Sequence, residues 1–343
     1  MKNGIFRLLA AGTALTLAPA AALAAEFDIR ASHVEAADSA VHRGWSVFES
    51  YVEKASGGRI EVTVLPSSQL GGLNETLEQT SLGVIEVAQA DESTLDPFHK
   101  PMMILGAPYL FADDEEAKAF IASDYFDKMR QGMIEESNLR VLSAASYGFR
   151  SLTNNVRPIK TVEDLEGLRI RVPPSPLSIE MIKAMGANPT PIPWEELYGA
   201  MEQGVVDGQE NPIGLINDYS FSEVQKYLTV DNHKIGLNFM VMSEDFFQSL
   251  PPELREVVLV GAEMAAATEY GERNYQSRVS AVSELQEKGM EVYFPTPEEL
   301  ATFRNAATGP VKDFLVQELG QEFVTATYDE LDRIREERAA RVK

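Results

Sequence analysis

Phe27, Ile29 and Ala31 alternate with polar neighbours, the period of a strand with one buried face. Val41, Trp45, Phe48 and Val52 then recur at helical spacing, and Gly57-Gly58 ends the helix they define. Ile60, Val62 and Val64 alternate again up to Pro66. A short helix over 75–82 and a buried strand over 84–90 follow. Strand, helix, strand, helix, strand within about 65 residues is the order of a doubly wound α/β unit.

The order recurs further on. Residues 139–145 and 168–172 read as strands, the second stopped by Pro173-Pro174, and a helix over 177–185 ends at Gly186. Pro193 is suited to the first turn of another helix, with Glu195 and Glu196 at its positive end and Leu197, Ala200 and Met201 as its core face. Val205-Val206 begins one more strand. The pattern therefore predicts two α/β halves. The run 251–288 has no proline after Pro252; at 1.5 Å per residue its 38 residues would make a helix of about 57 Å. That exceeds a small domain, so the helix is expected to span both halves or to bend at Gly261 or Gly271. The charged stretch 329–343 reads as a solvated terminal helix.

Composition narrows the classes. A chain of 343 residues, 44% hydrophobic and 24% charged, has the make-up of a globular protein of about two domains. The absence of cysteine excludes disulfides, thiolate metal sites and cysteine nucleophiles. A net charge of −23 argues against nucleic acid and anionic membranes as partners. Lys2 and Arg7 precede an apolar run that ends in Ala22-Leu23-Ala24, the pattern of a signal peptide over 1–24 cleaved near Ala24. An exported, acidic protein of the periplasm is expected. His33, His42, His99 and His233 lie far apart, and no H-E-x-x-H, G-x-S-x-G, G-x-x-x-x-G-K-[ST] or G-x-G-x-x-G motif occurs. No catalytic residue, cofactor or metal is expected, although 53 acidic residues leave a carboxylate-only hydrolase or lyase formally open.

Arg171 sits between Ile170 and Val172 in a short strand, where alternation sets Arg169 and Arg171 opposite the apolar residues. Ligands of open α/β sheets lie beyond the carboxyl ends of strands, and Arg171 is nearer that end. A surface ion pair and a ligand contact both fit these facts.

The wider pattern resembles the solute-binding subunit of tripartite ATP-independent periplasmic (TRAP) transporters, of the C4-dicarboxylate-binding DctP type. The resemblance rests on Ser56-Gly57-Gly58-Arg59-Ile60-Glu61-Val62, Pro66-Ser67-Ser68-Gln69-Leu70-Gly71-Gly72 and Ala107-Pro108-Tyr109-Leu110-Phe111. It is densest in Gly167-Leu168-Arg169-Ile170-Arg171-Val172-Pro173, Gly186-Ala187-Asn188-Pro189-Thr190-Pro191 and Val205-Val206-Asp207-Gly208-Gln209-Glu210-Asn211-Pro212. It implies a periplasmic-binding-protein fold: two doubly wound α/β domains around a ligand cleft, 25–148 plus 237–276 and 149–236 plus 277–343, crossed by a long helix. It also implies capture of a small organic acid, a C4-dicarboxylate or related carboxylate, for delivery to the small and large membrane subunits of a permease, by a monomer without enzymatic activity. An importer driven by ATP, or a sensor, would use the same cleft with a different membrane partner.

By that resemblance Arg171 pairs with the ligand carboxylate, Arg150 is a second basic contact, and Asn211 bonds the same region. Trp194 takes the place of a cleft aromatic or packs in the core. His33, Asp91 and Glu92 follow strand ends and either face the cleft or serve the structure. Leu73 departs from relatives that carry a polar residue there for ligand hydroxyls; a shift of one residue would bring Asn74 to that place.

Overall fold

The computed structural model describes residues 25–341, so the leader expected over 1–24 lies outside the described residues, as do the last two residues of the tail. The first lobe begins β1 (Phe27–Ser32), α1 (Ala40–Ala55), β2 (Ile60–Leu65), α2 (Leu73–Ser81) and β3 (Val87–Asp91). Both β2 and β3 pair with β1 in parallel, which requires the helical crossovers that the sequence pattern predicts. The Ser39 hydroxyl accepts from the amide of His42 to start α1, and Gly57 and Gly58 end it with φ of +66° and +79°. β3 starts three residues later than expected. Gly83, at φ +70°, makes the turn, and Val84 is exposed beside it.

Next come α3 (Asp114–Ile121), α4 (Asp124–Ser137) and β4 (Leu139–Asn154), which runs nine residues past its expected end. The second lobe continues with β5 (Arg169–Val172), α5 (Pro176–Ala184), β6 (Asn188–Pro191), α6 (Leu197–Glu202), β7 (Gly208–Pro212) and α7 (Ile213–Asp218). Pro193 leads into a single 3₁₀ turn, Trp194–Glu196, ahead of α6. The strand expected at Val205 begins instead at Gly208. Gly204, at φ +67°, turns the chain there and Val205 is exposed.

β8 (Tyr227–Ser243) was not evident from the pattern, and it organises the molecule. It lies antiparallel to β3 and to the whole of β4, so a single sheet of order β2-β1-β3-β8-β4-β7-β5-β6 passes through both lobes. β9 (Glu291–Tyr293) pairs with the first residues of β8. The β4–β8 ladder slips register between Ser146 and Gly148, where Gly148 (φ +106°) faces Gly236. A Cβ on Gly236 would stand 2.6 Å from the Tyr147 ring, so only glycine allows this approach.

After α8 (Glu244–Ser249), the long helix runs as α9 (Pro252–Tyr275), a π turn at Gln276–Ser280, and α10 (Ala281–Glu287). The irregularity falls beyond both Gly261 and Gly271. Gly261 packs on Phe48 and Val52 of α1, and Gly271 lies in the open face of the helix. One apolar core fills the first lobe around Trp45, Phe48, Met240 and Val258. Another fills the second around Leu197, Phe221 and Leu285. The largest, from Leu77 through Phe120 and Ile170 to Phe303 and Leu331, extends along both.

The Thr296–Glu299 capping box starts α11 (Pro297–Leu319), which packs on α5. Gly320 then turns the chain into α12 (Gln321–Arg341). The tail, grouped with the second lobe in the sequence reading, packs on the first. Arg335 pairs with buried Glu116 at 2.8 Å, and Tyr125 is bonded to Thr327 at 2.8 Å. Leu331 and Ile334 are buried, so this helix is not merely a solvated appendage.

Candidate functional site

A cavity of about 300 Å³ lies between the lobes, of the size small-molecule sites usually have. The first lobe supplies the ends of β1 and β3 (Glu35, Asp91, Ser93), the start of α2 (Leu73, Asn74) and Asn238 of β8. The second supplies the end of β5 (Arg171, Pro173), Trp194 and Asn211 of β7, while Tyr147 and Arg150 of β4 form the floor.

Arg171 is 2% exposed. Its Nε donates to the Ile192 carbonyl at 2.7 Å, which holds the guanidinium in place. Among the described residues no carboxylate comes within 4.0 Å of it, and its terminal nitrogens make no hydrogen bond to protein. Burial, reinforced by the neighbouring Arg150, lowers its pKa to about 10 despite attraction from Glu210. A buried cation without a counter-ion calls for an anion in the cavity beside it. Arg169, two residues earlier, is different. Its side chain is 47% exposed and grips Asp207 through Nη2 at 2.6 Å and Nε at 3.1 Å.

Arg150 lines the cavity, but its charge is already matched. Glu210 takes its Nε and Nη2 (2.8 Å to Oε1), and Nη1 donates to the Tyr147 hydroxyl at 2.8 Å. Beneath it, His233 bridges Glu210 at 3.1 Å and Asp231 at 2.8 Å. Burial opposes the charge on His233, but those two carboxylates prevail and raise its pKa to about 9. Asn211 is buried, its amide donating to Gln209 at 2.5 Å, and Trp194 meets Tyr219 edge to face at 4.8 Å while presenting its other side to the cavity.

Of the residues singled out from sequence, Arg171, Arg150, Asn211, Trp194 and Asp91 meet around this one cavity. His33 and Glu92 do not, and their expected place at the cleft is corrected here. The His33 side chain turns toward α1, its Nε2 3.0 Å from His42 Nδ1 and its ring against Trp45, and burial followed by His42 lowers its pKa to about 3. Glu92 lies under the floor, 3.2 Å from Lys234 Nζ and accepting from the Leu237 amide at 2.9 Å. Leu73 and Asn74 both line the cavity, so a polar side chain stands next to Leu73 there. Glu35, Tyr147 and Asn238 were missed. Glu35 follows β1 as Asp91 ends β3, a strand-end signal that was available; Asn238 lies on the unassigned β8.

Two α/β lobes sharing a pair of through-running strands, with a ligand-sized cavity between them, define a periplasmic-type solute-binding protein. The sequence model for bacterial extracellular solute-binding protein, family 7 (DctP), matches residues 31–318, and the chain belongs to this family. The chain is 30% identical to the C4-dicarboxylate-binding periplasmic protein DctP of Rhodobacter capsulatus over 94% of its own length and 96% of that protein's. Among solved structures it is similar to the sugar acid binding protein DctPAm of Advenella mimigardefordensis in complex with galactonate (25% identity, 90% of this chain and 98% of that one, TM-score 0.85). It is likewise similar to a TRAP periplasmic solute binding protein of Sulfurospirillum deleyianum with bound succinate (27%, 89% and 99%, TM-score 0.82). The family is periplasmic, binds small carboxylates and works with TRAP membrane permeases. No described helix is long and apolar enough to cross a membrane.

Proposed function

We propose that this protein captures a small organic acid in the cavity between its lobes and presents it, unaltered, to the small and large membrane subunits of a TRAP permease. The observation that carries the reading is Arg171, a buried guanidinium that faces the cavity with no counter-ion of its own. A planar guanidinium pairs with a carboxylate through two parallel charge-assisted hydrogen bonds, and exclusion of water strengthens them. Asn211 and Trp194 complete that side, and Arg150, neutralised by Glu210, contributes its remaining donor. The working unit is a monomer in which 25–148 plus 237–276 move against 149–236 plus 277–320, after removal of a leader ending near Ala24. No enzymatic step is assigned.

A thermal-shift screen of organic acids followed by titration calorimetry tests this. One equivalent of an acid should bind per chain and be recovered chemically unchanged. Conversion of the acid by catalytic amounts of protein would favour the carboxylate hydrolase or lyase instead.

A further inference from the structure

The first-lobe wall of the cavity has the opposite character to the second-lobe wall that carries Arg171. Two cationic side chains line the cavity, Arg150 and Arg171, and Glu210 already holds Arg150 on two sides. Of the lining acids, Glu35 is paired with buried Arg273, while Glu75, Glu195 and Glu196 are exposed at the rim. Asp91 is the exception. It ends β3 at the cavity wall and, among the described residues, has no cation within 4.0 Å; Arg150 and Arg171 attract it only from farther off.

The hydroxyl donors around Asp91 are turned onto it or its backbone. Ser93 gives its amide (2.8 Å) and its hydroxyl (2.6 Å) to Oδ1, and the Thr94 hydroxyl lies 3.1 Å from the Asp91 carbonyl. Nearby amides are partly spent too, Gln89 donating to Asn238 at 3.3 Å and Asn238 to Glu269 at 2.6 Å. This wall therefore offers acceptors and negative charge. A carboxylate can only accept hydrogen bonds, so a second one placed here would meet repulsion and find few donors.

We infer that Asp91 is a specificity residue, and that the ligand is a monocarboxylate whose far end carries hydrogen-bond donors, hydroxyl or ammonium, rather than a dicarboxylate. The inference rests on the Arg171 reading and narrows it: the carboxylate goes to Arg171 and the donor end to Asp91. Asp91→Asn keeps an oxygen to accept from Ser93 while removing the charge, so the turn after β3 should survive.

Calorimetry at pH 7.5 with two matched series is the test: succinate, 4-hydroxybutyrate and 4-aminobutyrate, and glucarate, gluconate and 6-amino-6-deoxygluconate. In at least one series a donor-ended acid should bind at least about 10-fold more tightly than its dicarboxylate, and Asp91→Asn should shrink that ratio by at least about 10-fold. The ammonium and hydroxyl members tell the two donor types apart. Tighter binding of either dicarboxylate than of its donor-ended partners, silence from every donor-ended acid, or a ratio untouched by Asp91→Asn overturns the inference. Burial and Glu92 push the Asp91 carboxyl up, so the dicarboxylates are repeated at pH 5.5. If they overtake the donor-ended acids there, a protonated Asp91 is donating to a second carboxylate and the inference falls. Arg171→Ala keeps the two readings apart: loss of binding there with no change of preference in Asp91→Asn would refute the role of Asp91 alone.

Discussion

At the scale of the residue, two arginines on one four-residue strand have different fates. Arg171→Ala would leave a ligand carboxylate buried without its partner. Such truncations cost roughly 2–5 kcal/mol, or about 30- to several-thousand-fold in affinity. Arg171→Lys keeps the charge but loses the planar fork, so it too should weaken binding clearly. Arg169→Ala removes an exposed, solvent-screened pair with Asp207 and should leave both fold and affinity nearly unchanged, the affinity within about threefold. Calorimetry on the three variants checks the contrast, and equal losses at the two sites would defeat it. His233 carries a prediction of another kind. Its folded pKa of about 9 stands above the ordinary 6.5, so its contribution is fully present below pH 6.5 and lost as pH rises through 9. Urea unfolding should show stability falling by on the order of 3 kcal/mol over that window, and His233→Gln should flatten the slope. Strand-end logic made Arg171 and Asp91 legible from sequence, because a charged residue closing a short apolar strand must go somewhere polar. It could not tell Asp91 from Glu92, since one residue of strand period separates cavity wall from buried floor.

At the scale of the element, α1 and α9 cross at two glycines. A Cβ at Gly44 would stand 2.6 Å from the carbonyl oxygen of Ala265, and one at Gly261 would stand 2.8 Å from Val52 Cγ2. Gly44→Ala meets backbone that cannot step aside, and should cost about 1–3 kcal/mol by forcing the helices apart. Gly271→Ala, with nothing within 4 Å on the same helix, should instead stabilise by about 0.5–1 kcal/mol through helix propensity. Differential scanning calorimetry reads both signs, and a destabilised Gly271→Ala would contradict the packing described for α9. The amphipathic elements were readable because one face of each meets water. β8 was not: it is buried along almost its whole length, with Ile235, Leu237, Phe239 and Val241 facing one core and Met240 and Met242 the other, so no polar face marks the strand in the pattern. The late start of β7 and the long run of β4 follow from the same cause, since both pair with neighbours distant in sequence.

At the scale of the whole molecule, one buried side chain and one hydrogen bond are among the contacts that join the lobes beside the cavity. Arg273 of α9 joins Glu35 of the first lobe to Asp218 of the second, at 2.9 Å for the latter, and the Ala36 amide donates to the Tyr219 hydroxyl at 3.0 Å. Glu35 also lines the cavity, and three residues after Arg273 the helix passes into its π turn. Cavity, lobe contact and π turn are thus adjacent, and the register slip at Gly148 lies on the other connection between lobes. A closed arrangement that keeps these contacts is one a bound anion would favour by its greater affinity for it. Small-angle scattering should give a smaller radius of gyration with saturating ligand than without. Removing both second-lobe partners, Asp218→Asn with Tyr219→Phe, leaves Arg273 its buried pair with Glu35 and touches no residue that lines the cavity. That variant should populate the open form more and bind about 3- to 10-fold more weakly, while reaching the same compact radius once saturated. A radius unchanged by ligand in the natural protein would make the cavity a preformed pocket. Equal affinities for variant and natural protein would place Asp218 and Tyr219 outside the closing movement.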